Sequence, residues 1–168
     1  MPTKRKKLIS EKPKTEHTPY FKIVADNRRA RFNFEVMDQF ETGIVLSGTE
    51  IKSVRAGKAM IRDAYAQVRN GQVWLQNLHI AAWDGGGVWN HEVVHPRRLL
   101  MHRKEITRLG RIAGQQGLTL IPLRMYIKGH YAKIELALAK GRRLYDKRKV
   151  IQQRETDREI NRAIRHRE

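Results

Sequence analysis

The pentapeptide His91–His95, H-E-V-V-H, has the residue types and spacing of a zinc-protease site. In that site, two histidines one helical turn apart bind the metal, and the glutamate activates a water molecule. The chemistry requires a helix, but Pro96 disfavours helical dihedrals at His95, and valine is a poor helix former. Three adjacent glycines, Gly85–Gly87, also lie just upstream. We therefore predict that this pentapeptide lies in a loop and binds no metal.

The other residues capable of catalysis show no recognisable arrangement. The chain has no cysteine, which excludes disulfides, thiolate zinc sites and cysteine nucleophiles. It also lacks a glycine-rich phosphate loop, and its acidic residues are mostly isolated among basic ones, which gives two-metal nuclease chemistry little support. We expect a protein that is not an enzyme and has no cofactor. A metal-dependent hydrolase at His91 and His95 remains a hypothesis that elemental analysis tests.

The strongest signal in the composition is positive charge. The chain has 35 Lys and Arg against 17 Asp and Glu, a net charge of +18. Such a surplus repels itself in a folded body, so a polyanionic partner is expected, with nucleic acid first and an anionic membrane surface second. No apolar run approaches the ~20 residues of a membrane span, and the N-terminus lacks the apolar region of a secretory signal. We therefore interpret His91 as a polar loop residue that is able to contact RNA.

Short strand patterns occupy the first part of the body. Apolar residues alternate with polar ones over 32–36, which predicts a half-buried strand. A turn is expected at Glu41–Gly43, followed by another strand at Ile44–Leu46. Asn70-Gly71 is a preferred pair for a two-residue hairpin turn between two strands, and we expect Trp74 in the second of these to lie in the core.

A short helix is predicted after the second strand. Ser47 stands three residues before Glu50, which is the spacing of a capping box, and Gly57 is a C-terminal stop. Ile51 and Val54 fall on one face of this helix. Three basic residues are expected to point outward: Lys52, Arg55 and Lys58.

A second helix and a further strand pair complete the body. Four apolar residues at helical spacing predict the helix from about Arg97: Leu99, Ile106, Leu109 and Ala113. Alternating patterns over 118–128 and 131–139 predict a strand pair around a turn at Lys128–His130. The glycines at Gly85–Gly87 predict a mobile loop, whose flanking Trp83 and Trp89 either stack on bases or pack back on the body.

These elements predict a mainly β fold with added α. An antiparallel sheet of six or seven strands normally closes to remove its edges, and an inserted helix is typical of an OB-like Greek-key barrel, here with two or three helices. We place the barrel at residues 27–141, a flexible basic arm at 1–26 and a basic tail at 142–168. The arm is expected to be disordered, and its lysines could also contact nucleic-acid backbone.

The tail is rich in helix-forming and charged residues but has few apolar ones. Thr156 and Glu159 have capping-box spacing, and pairs such as Glu155–Arg158 support a helix by ~0.2–0.5 kcal/mol each. Isolated short helices are marginal in water. We therefore expect a segment that is disordered when free and helical along an acidic partner, the alternative being a solubilising tail.

Several sequence blocks together resemble the SsrA-binding protein (SmpB) family, in order and with family-like spacing over about residues 27–148. They are NRRAR (27–31), GIVLSGTEIKSVRAGKA (43–59), NGQVWLQNLHI (70–80), NH (90–91), RRLLMHRKEI (97–106), GLTLIPLRMYIKG (117–129) and AKIELALAKGRRLYDKR (132–148).

The resemblance implies an RNA-binding adaptor with an oligonucleotide-binding-type barrel. Such proteins bind the tRNA-like domain of transfer-messenger RNA and accompany it, with elongation factor Tu and GTP, to stalled ribosomes in the bacterial cytoplasm for trans-translation. The resemblance also implies a tail that becomes helical in the empty mRNA channel of the small ribosomal subunit. The implied partners include small-subunit RNA but no membrane, and we expect a monomer when free. The alternative is a general OB-fold single-strand-RNA-binding or ribosomal protein.

Site residues follow from matching positions in the resemblance and from the outward-facing cations and loop residues above. The candidate RNA-binding residues are Asn27, Arg28, Arg31, Glu41, Lys52, Arg55, Lys58, His91, Leu100, Lys128 and Lys133. The resemblance further implies that Tyr145 lies at the decoding centre and that Asp146, Lys147 and Arg148 begin the channel segment. Leu100 is expected to act through packing, and Glu50 to be structural. The displaced Pro96, Thr156 and the long arm depart from the family pattern.

Overall fold

The computed structural model describes residues 20–112 and 117–143, together with positions 155, 156, 158 and 162. Over the two continuous ranges the chain forms nine strands and three α-helices. The strands are β1 (Phe21–Asp26), β2 (Phe34–Ile44), β3 (Ala59–Met60), β4 (Tyr65–Arg69), β5 (Gln72–Gln76), β6 (His79–Ile80), β7 (Arg97–Leu100), β8 (Leu118–Lys128) and β9 (Tyr131–Gly141). The helices are α1 (Arg28–Asn33), α2 (Gly48–Arg55) and α3 (Arg103–Ile112).

Six strands close into an antiparallel barrel in the order β8-β4-β5-β7-β2-β9, because β9 pairs with both β2 and β8. β1 joins as a seventh strand by pairing with the C-terminal half of β8. The short β3 and β6 form a separate ribbon. This confirms the predicted mainly β, OB-like architecture of six to seven strands with added helices.

The barrel interior holds the main hydrophobic core. Fully buried side chains come from strands around the ring, including Val73, Leu75, Ile134 and Leu136. The helices α2 and α3 contribute to the same core through residues of the predicted apolar faces, Val54 and Leu109. A smaller cluster lies under α1, around Ala30, Ile121, Leu123, Ala137 and Ala139. No helix in the described ranges is both long and apolar enough to cross a membrane.

The elements with local signals form as predicted. Ser47 caps α2, and a full capping box with Glu50 is present. Asn70 and Gly71 both have positive φ, 51° and 68°, and join β4 to β5 as the hairpin turn requires. β8 and β9 pair over their whole length around the turn that contains Gly129.

The predicted turn at Glu41–Gly43 is wrong, because β2 is one continuous strand of 11 residues. The residues of β2 up to Gly43 pair with β9, and Gly43 and Ile44 pair with β7. This pairing on both sides keeps the strand extended where a turn was predicted. The strand also starts later than predicted. Phe32 belongs to α1, whose N-cap is Asn27.

Three further expectations differ from the structure. Residues 21–26, assigned to the disordered arm, form β1, so the body begins before Asn27; residues 1–19 lie outside the described part. Leu99 belongs to β7 rather than to a helix, while Ala113 lies outside the described part. Trp74 faces outward and is half-buried, because Val73 and Leu75 take the inward positions of β5.

The glycine-rich loop has a defined closure. A 3-10 turn spans Gly87–Trp89, and the Asn90 side chain binds both backbone groups of Trp83, accepting from its N–H at 3.1 Å and donating to its carbonyl at 2.8 Å. Trp83, which these hydrogen bonds hold, is half-buried, whereas Trp89 is 90% exposed.

Candidate nucleic-acid interface

Glu41 is the centre of a polar cluster on the outer wall of the barrel. It lies on β2 and accepts a hydrogen bond from the Tyr126 hydroxyl at 2.6 Å, with the Lys128 ammonium 3.4 Å from the same oxygen. Lys133 on β9 donates to the other carboxylate oxygen. The strand order β2-β9-β8 is what brings these residues together.

The electrostatics of this cluster hold Glu41 charged and Tyr126 protonated. The hydrogen bonds from Lys133 and then Tyr126, with the charges of Lys133 and Lys128, outweigh burial and lower the pKa of Glu41 from 4.5 to about 2. Burial, followed by the hydrogen bond and charge of Glu41, raises the pKa of Tyr126 above its usual value of 10. Tyr126 therefore remains a donor at neutral pH.

Leu100 extends this cluster across the sheet. Gly43 pairs with Lys133 on one side and with Leu100 on the other, so Leu100 lies in the same cross-strand row as Lys133. A Cβ at Gly43 would come within 3.3 Å of the Leu100 Cβ, so the glycine leaves space for the leucine. Leu100 is 52% exposed. We call Glu41, Leu100, Tyr126, Lys128 and Lys133 the Glu41 surface.

Asn27 does not face solvent as the sequence prediction required. It is only 3% exposed, and its amide nitrogen lies within 3.2–3.3 Å of three backbone carbonyl oxygens, those of Ile61, Arg62 and Pro122. Its side-chain oxygen accepts from Ala30 N–H at 3.0 Å. Asn27 therefore ties α1 to the barrel and has no polar atom left for RNA.

Two of the three arginines of α1, Arg28 and Arg31, differ in availability. The side chain of Arg28 is 93% exposed and lies 3.5 Å from Asp26. The side chain of Arg31 is 39% exposed and lies 3.7 Å from Glu135, and its buried Nε has no hydrogen-bond partner among the residues that the structure describes. Arg28 is therefore the freer of the two for phosphate contact.

The basic residues around α2 point outward as predicted. Lys52, Arg55 and Lys58 are all exposed. Lys58 is paired with Asp84 at 2.6 Å, so its charge is partly compensated. Arg55 donates to the backbone carbonyl of His130 at 3.4 Å, and no carboxylate within the described ranges lies at salt-bridge distance from it.

Glu50 has a structural role in this helix. Its carboxylate accepts hydrogen bonds from Ser47 N–H at 2.6 Å and from Arg97 Nε at 2.6 Å. Glu50 and Arg97 are each only 2% exposed. Burial alone raises the pKa of Glu50, but these hydrogen bonds and the charges of Arg97 and His95 outweigh it and leave the pKa below 4.5. This buried pair joins α2 to β7.

His91 and His95 do not share a helix. The His91 ring nitrogens lie 2.9 Å from the Thr49 hydroxyl and 3.2 Å from the Ile80 carbonyl. His95 Nδ1 binds the carbonyl of Glu92 at 2.9 Å. Both nitrogens of His91 are thus occupied within the fold, so contact with RNA through them would break an internal hydrogen bond. No group of three or more potential metal ligands occurs among the described residues.

The sequence comparisons extend over most of the chain. The model of the "SmpB protein" family matches residues 24–166. The SsrA-binding protein of Carboxydothermus hydrogenoformans is 49% identical over 146 residues, which covers 87% of this chain and 98% of the relative. That of Desulforudis audaxviator is 51% identical over 144 residues, covering 86% and 94%. The chain belongs to the SmpB family.

A solved structure agrees with this family assignment. One chain of "tmRNA-SmpB: a journey to the center of the bacterial ribosome" matches with a TM-score of 0.61 and 42% identity, covering 71% of this chain and 84% of that chain. The SmpB family match also extends through the tail. Tyr145, Asp146, Lys147 and Arg148 lie outside the described residues; the four described tail positions are helical and exposed.

An aromatic row that the sequence alone does not predict lies next to the Glu41 surface. Phe21 and Tyr131 pair with Lys128 from opposite sides, which places all three in one line across β1, β8 and β9. Phe21 is 56% and Tyr131 74% exposed. Exposed aromatics beside a lysine are typical of surfaces that bind unstacked bases. Only the strand register reveals this arrangement within the SmpB fold.

Replacing Glu41 with glutamine is expected to remove a pH-dependent part of the stability. Because the folded pKa is depressed, Glu41 stabilises the fold above its unfolded pKa of 4.5, and this contribution is lost as pH falls towards 2. The cluster is partly exposed, so the contribution is about 1 kcal/mol or less. Urea unfolding of both proteins between pH 5 and 2 measures it.

Glu35→Gln is the matched control, because Glu35 is exposed on the same strand and has no side-chain hydrogen bond among the described residues. Stability curves for Glu41→Gln and the wild type that stay parallel over this pH interval would contradict the geometry of the cluster.

Proposed function

We propose that this chain binds the tRNA-like domain of transfer-messenger RNA and delivers it to stalled ribosomes for trans-translation. It acts as an RNA-binding adaptor and not as an enzyme. The observation that carries the proposal is the family match over residues 24–166, with about half of the aligned positions identical to those of SsrA-binding proteins. The solved relative is a tmRNA–SmpB structure on the bacterial ribosome.

The physical basis is a rigid, cationic barrel. RNA helices hide their base edges in a deep groove, so a protein binds them through phosphates, 2′-hydroxyls and unstacked loop bases. The Glu41 surface offers two lysines for phosphates and an exposed leucine for packing. Arg28 on α1 and Lys52 and Arg55 on α2 add further positive charge. We assign RNA binding to these residues, with Asn27 as a positioning residue.

The finer parts of the function follow the family resemblance. Elongation factor Tu with GTP joins through the RNA complex, and the free protein is a monomer in the bacterial cytoplasm. The tail contacts small-subunit RNA, with Tyr145 at the decoding centre and 146–148 entering the mRNA channel. The net charge of +18 is consistent with two RNA partners.

A competition experiment tests the proposed function. Labelled tRNA-like domain is bound to the full chain and displaced with unlabelled tRNA-like domain, generic transfer RNA or poly-U. We expect only the tRNA-like domain to compete at equal concentration. Equal competition by all three would instead support the alternative, a general OB-fold single-strand-RNA-binding or ribosomal protein.

A further inference from the structure

A cleft of about 330 Å³ lies where the start of β1 meets the C-terminal end of α2 and the turn between β8 and β9. Its volume is in the range of sites that hold small molecules, ~300–1,000 Å³. The cleft combines apolar walls with basic side chains. It is lined by Tyr20, Lys22, Arg55, Ile127, Gly129 and His130.

Hydrogen bonds hold the three walls of the cleft together. Gly129, with φ +62°, donates its N–H to the Tyr20 carbonyl at 2.8 Å, which ties β1 to the turn. Lys22 donates to the Arg55 carbonyl at 2.9 Å, and Arg55 donates to the His130 carbonyl at 3.4 Å. The two cations therefore have positions set by the backbone before any ligand arrives.

The charges of these two cations are not neutralised. Neither Lys22 nor Arg55 lies within salt-bridge distance of a carboxylate in the described part of the chain, because their acceptors are carbonyl oxygens. Fixed cations with spare donors form a site for a phosphate oxygen. The preceding segment, residues 1–19, has six basic and two acidic residues and so does not complement this charge.

The remaining wall is aromatic and accessible. Tyr20 is 63% exposed, although it stands at the edge of a cleft whose floor, Ile127, is 2% exposed. An aromatic face of this kind stacks on any nucleobase. Lys128, which follows Ile127 in β8, belongs to the Glu41 surface, so the cleft and the candidate interface both lie at the C-terminal end of β8.

We propose that this cleft binds one unpaired nucleotide of the partner RNA, with the base against the Tyr20 ring and its phosphate held by Lys22 and Arg55. The inference rests on the proposed function for the identity of the RNA. It adds that recognition includes an unstacked base, rather than backbone contacts alone. Two sources can supply such a nucleotide, the tRNA-like domain and the small ribosomal subunit.

Binding measurements on the full chain separate these sources. We expect Tyr20→Leu to weaken binding to one of the two RNAs by about 5- to 150-fold, the range for loss of one stacked base. Tyr20→Phe should bind within about twofold of wild type, because the ring is retained. Lys22→Gln should weaken binding more than Lys104→Gln, which removes the same charge from α3, outside the cleft.

Titration with adenosine 5′-monophosphate tests the cleft independently of either RNA. We expect local NMR shifts at Gly129 and Ile127 in the wild type and weaker shifts with adenosine or inorganic phosphate. In Tyr20→Leu the nucleotide should give shifts no larger than those of inorganic phosphate. The proposal is overturned if the nucleotide leaves these signals unchanged and Tyr20→Leu binds both RNAs like wild type. If the wild type does not prefer the tRNA-like domain in the competition experiment, the proposed function is contradicted. The nucleotide titration tests the cleft whatever the result of that experiment.

Discussion

Replacing Arg97 with methionine is expected to lower the free energy of unfolding by about 3–5 kcal/mol, because it leaves the buried Glu50 carboxylate without its partner. Arg97 also donates to the backbone carbonyls of Leu78 at 2.6 Å and His95 at 3.1 Å, and the substitution orphans these acceptors as well. The methionine fills most of the same volume, so the loss reflects charge and hydrogen bonding rather than a cavity. Urea unfolding at pH 7 measures the effect.

Arg98→Met is the matched control, since Arg98 is the exposed neighbour on the same strand. Its effect should stay within about 0.5 kcal/mol. The pH dependence gives a second check on the cause. In the Arg97 variant Glu50 can escape its unpaired charge by protonation, so the difference from wild type in the free energy of unfolding should narrow as pH falls towards 4.5. It should narrow further below 4.5, because the wild type then loses the contribution of its paired carboxylate. The role of the Glu50–Arg97 pair would be contradicted if the two proteins differed little in free energy of unfolding at pH 7, or if their difference did not change with pH.

Raising the salt concentration is expected to weaken RNA binding more than any single substitution. A surface that neutralises ~6–10 phosphates loses ~10³–10⁵ in affinity between 50 and 200 mM salt. The net charge of +18 and the exposed basic residues on α1 and α2 lead us to expect a salt dependence of this size. Equilibrium binding to the tRNA-like domain across this salt range gives the slope.

Two variants show which charges contribute to that slope. Lys52→Gln should reduce its magnitude by about one unit, because each phosphate contact contributes ~0.9. Lys58→Gln should reduce it less, because Lys58 is already paired with Asp84. Binding that is insensitive to salt would refute the electrostatic part of the proposed function.

Elements with local signals were predictable from the sequence. The capping box of α2, the hairpin at Asn70-Gly71 and the β8–β9 pair depend on residues close together in the chain, and all three form. The continuous β2 was not predictable in this way, because Gly43 carries a turn signal that is overridden only when β7 and β9 pair with the strand on both sides.

The candidate site likewise contains residues that the sequence predicts and contacts that only the fold creates. The outward position of Lys52 and Arg55 follows from helix periodicity, and the family resemblance supplied Glu41, Leu100 and Lys133. The Glu50–Arg97 contact joins residues 47 positions apart, and the row of Phe21, Lys128 and Tyr131 exists only through strand register. The family resemblance assigned Asn27 to the RNA face, but in the structure its amide group donates to buried backbone carbonyls.

We infer that RNA binding belongs to the barrel and ribosome engagement to the tail. Ending the chain after Arg143 tests it, because this cut keeps all of β9 and the hydrogen bond from Arg142 N–H to the Asn33 carbonyl, 2.9 Å. Binding of the tRNA-like domain and tagging of a stalled product are then measured in a reconstituted translation system. We expect affinity to fall by less than about tenfold, ~1.4 kcal/mol, while tagging stops. Loss of RNA binding, or tagging at the full-length level, would contradict the account.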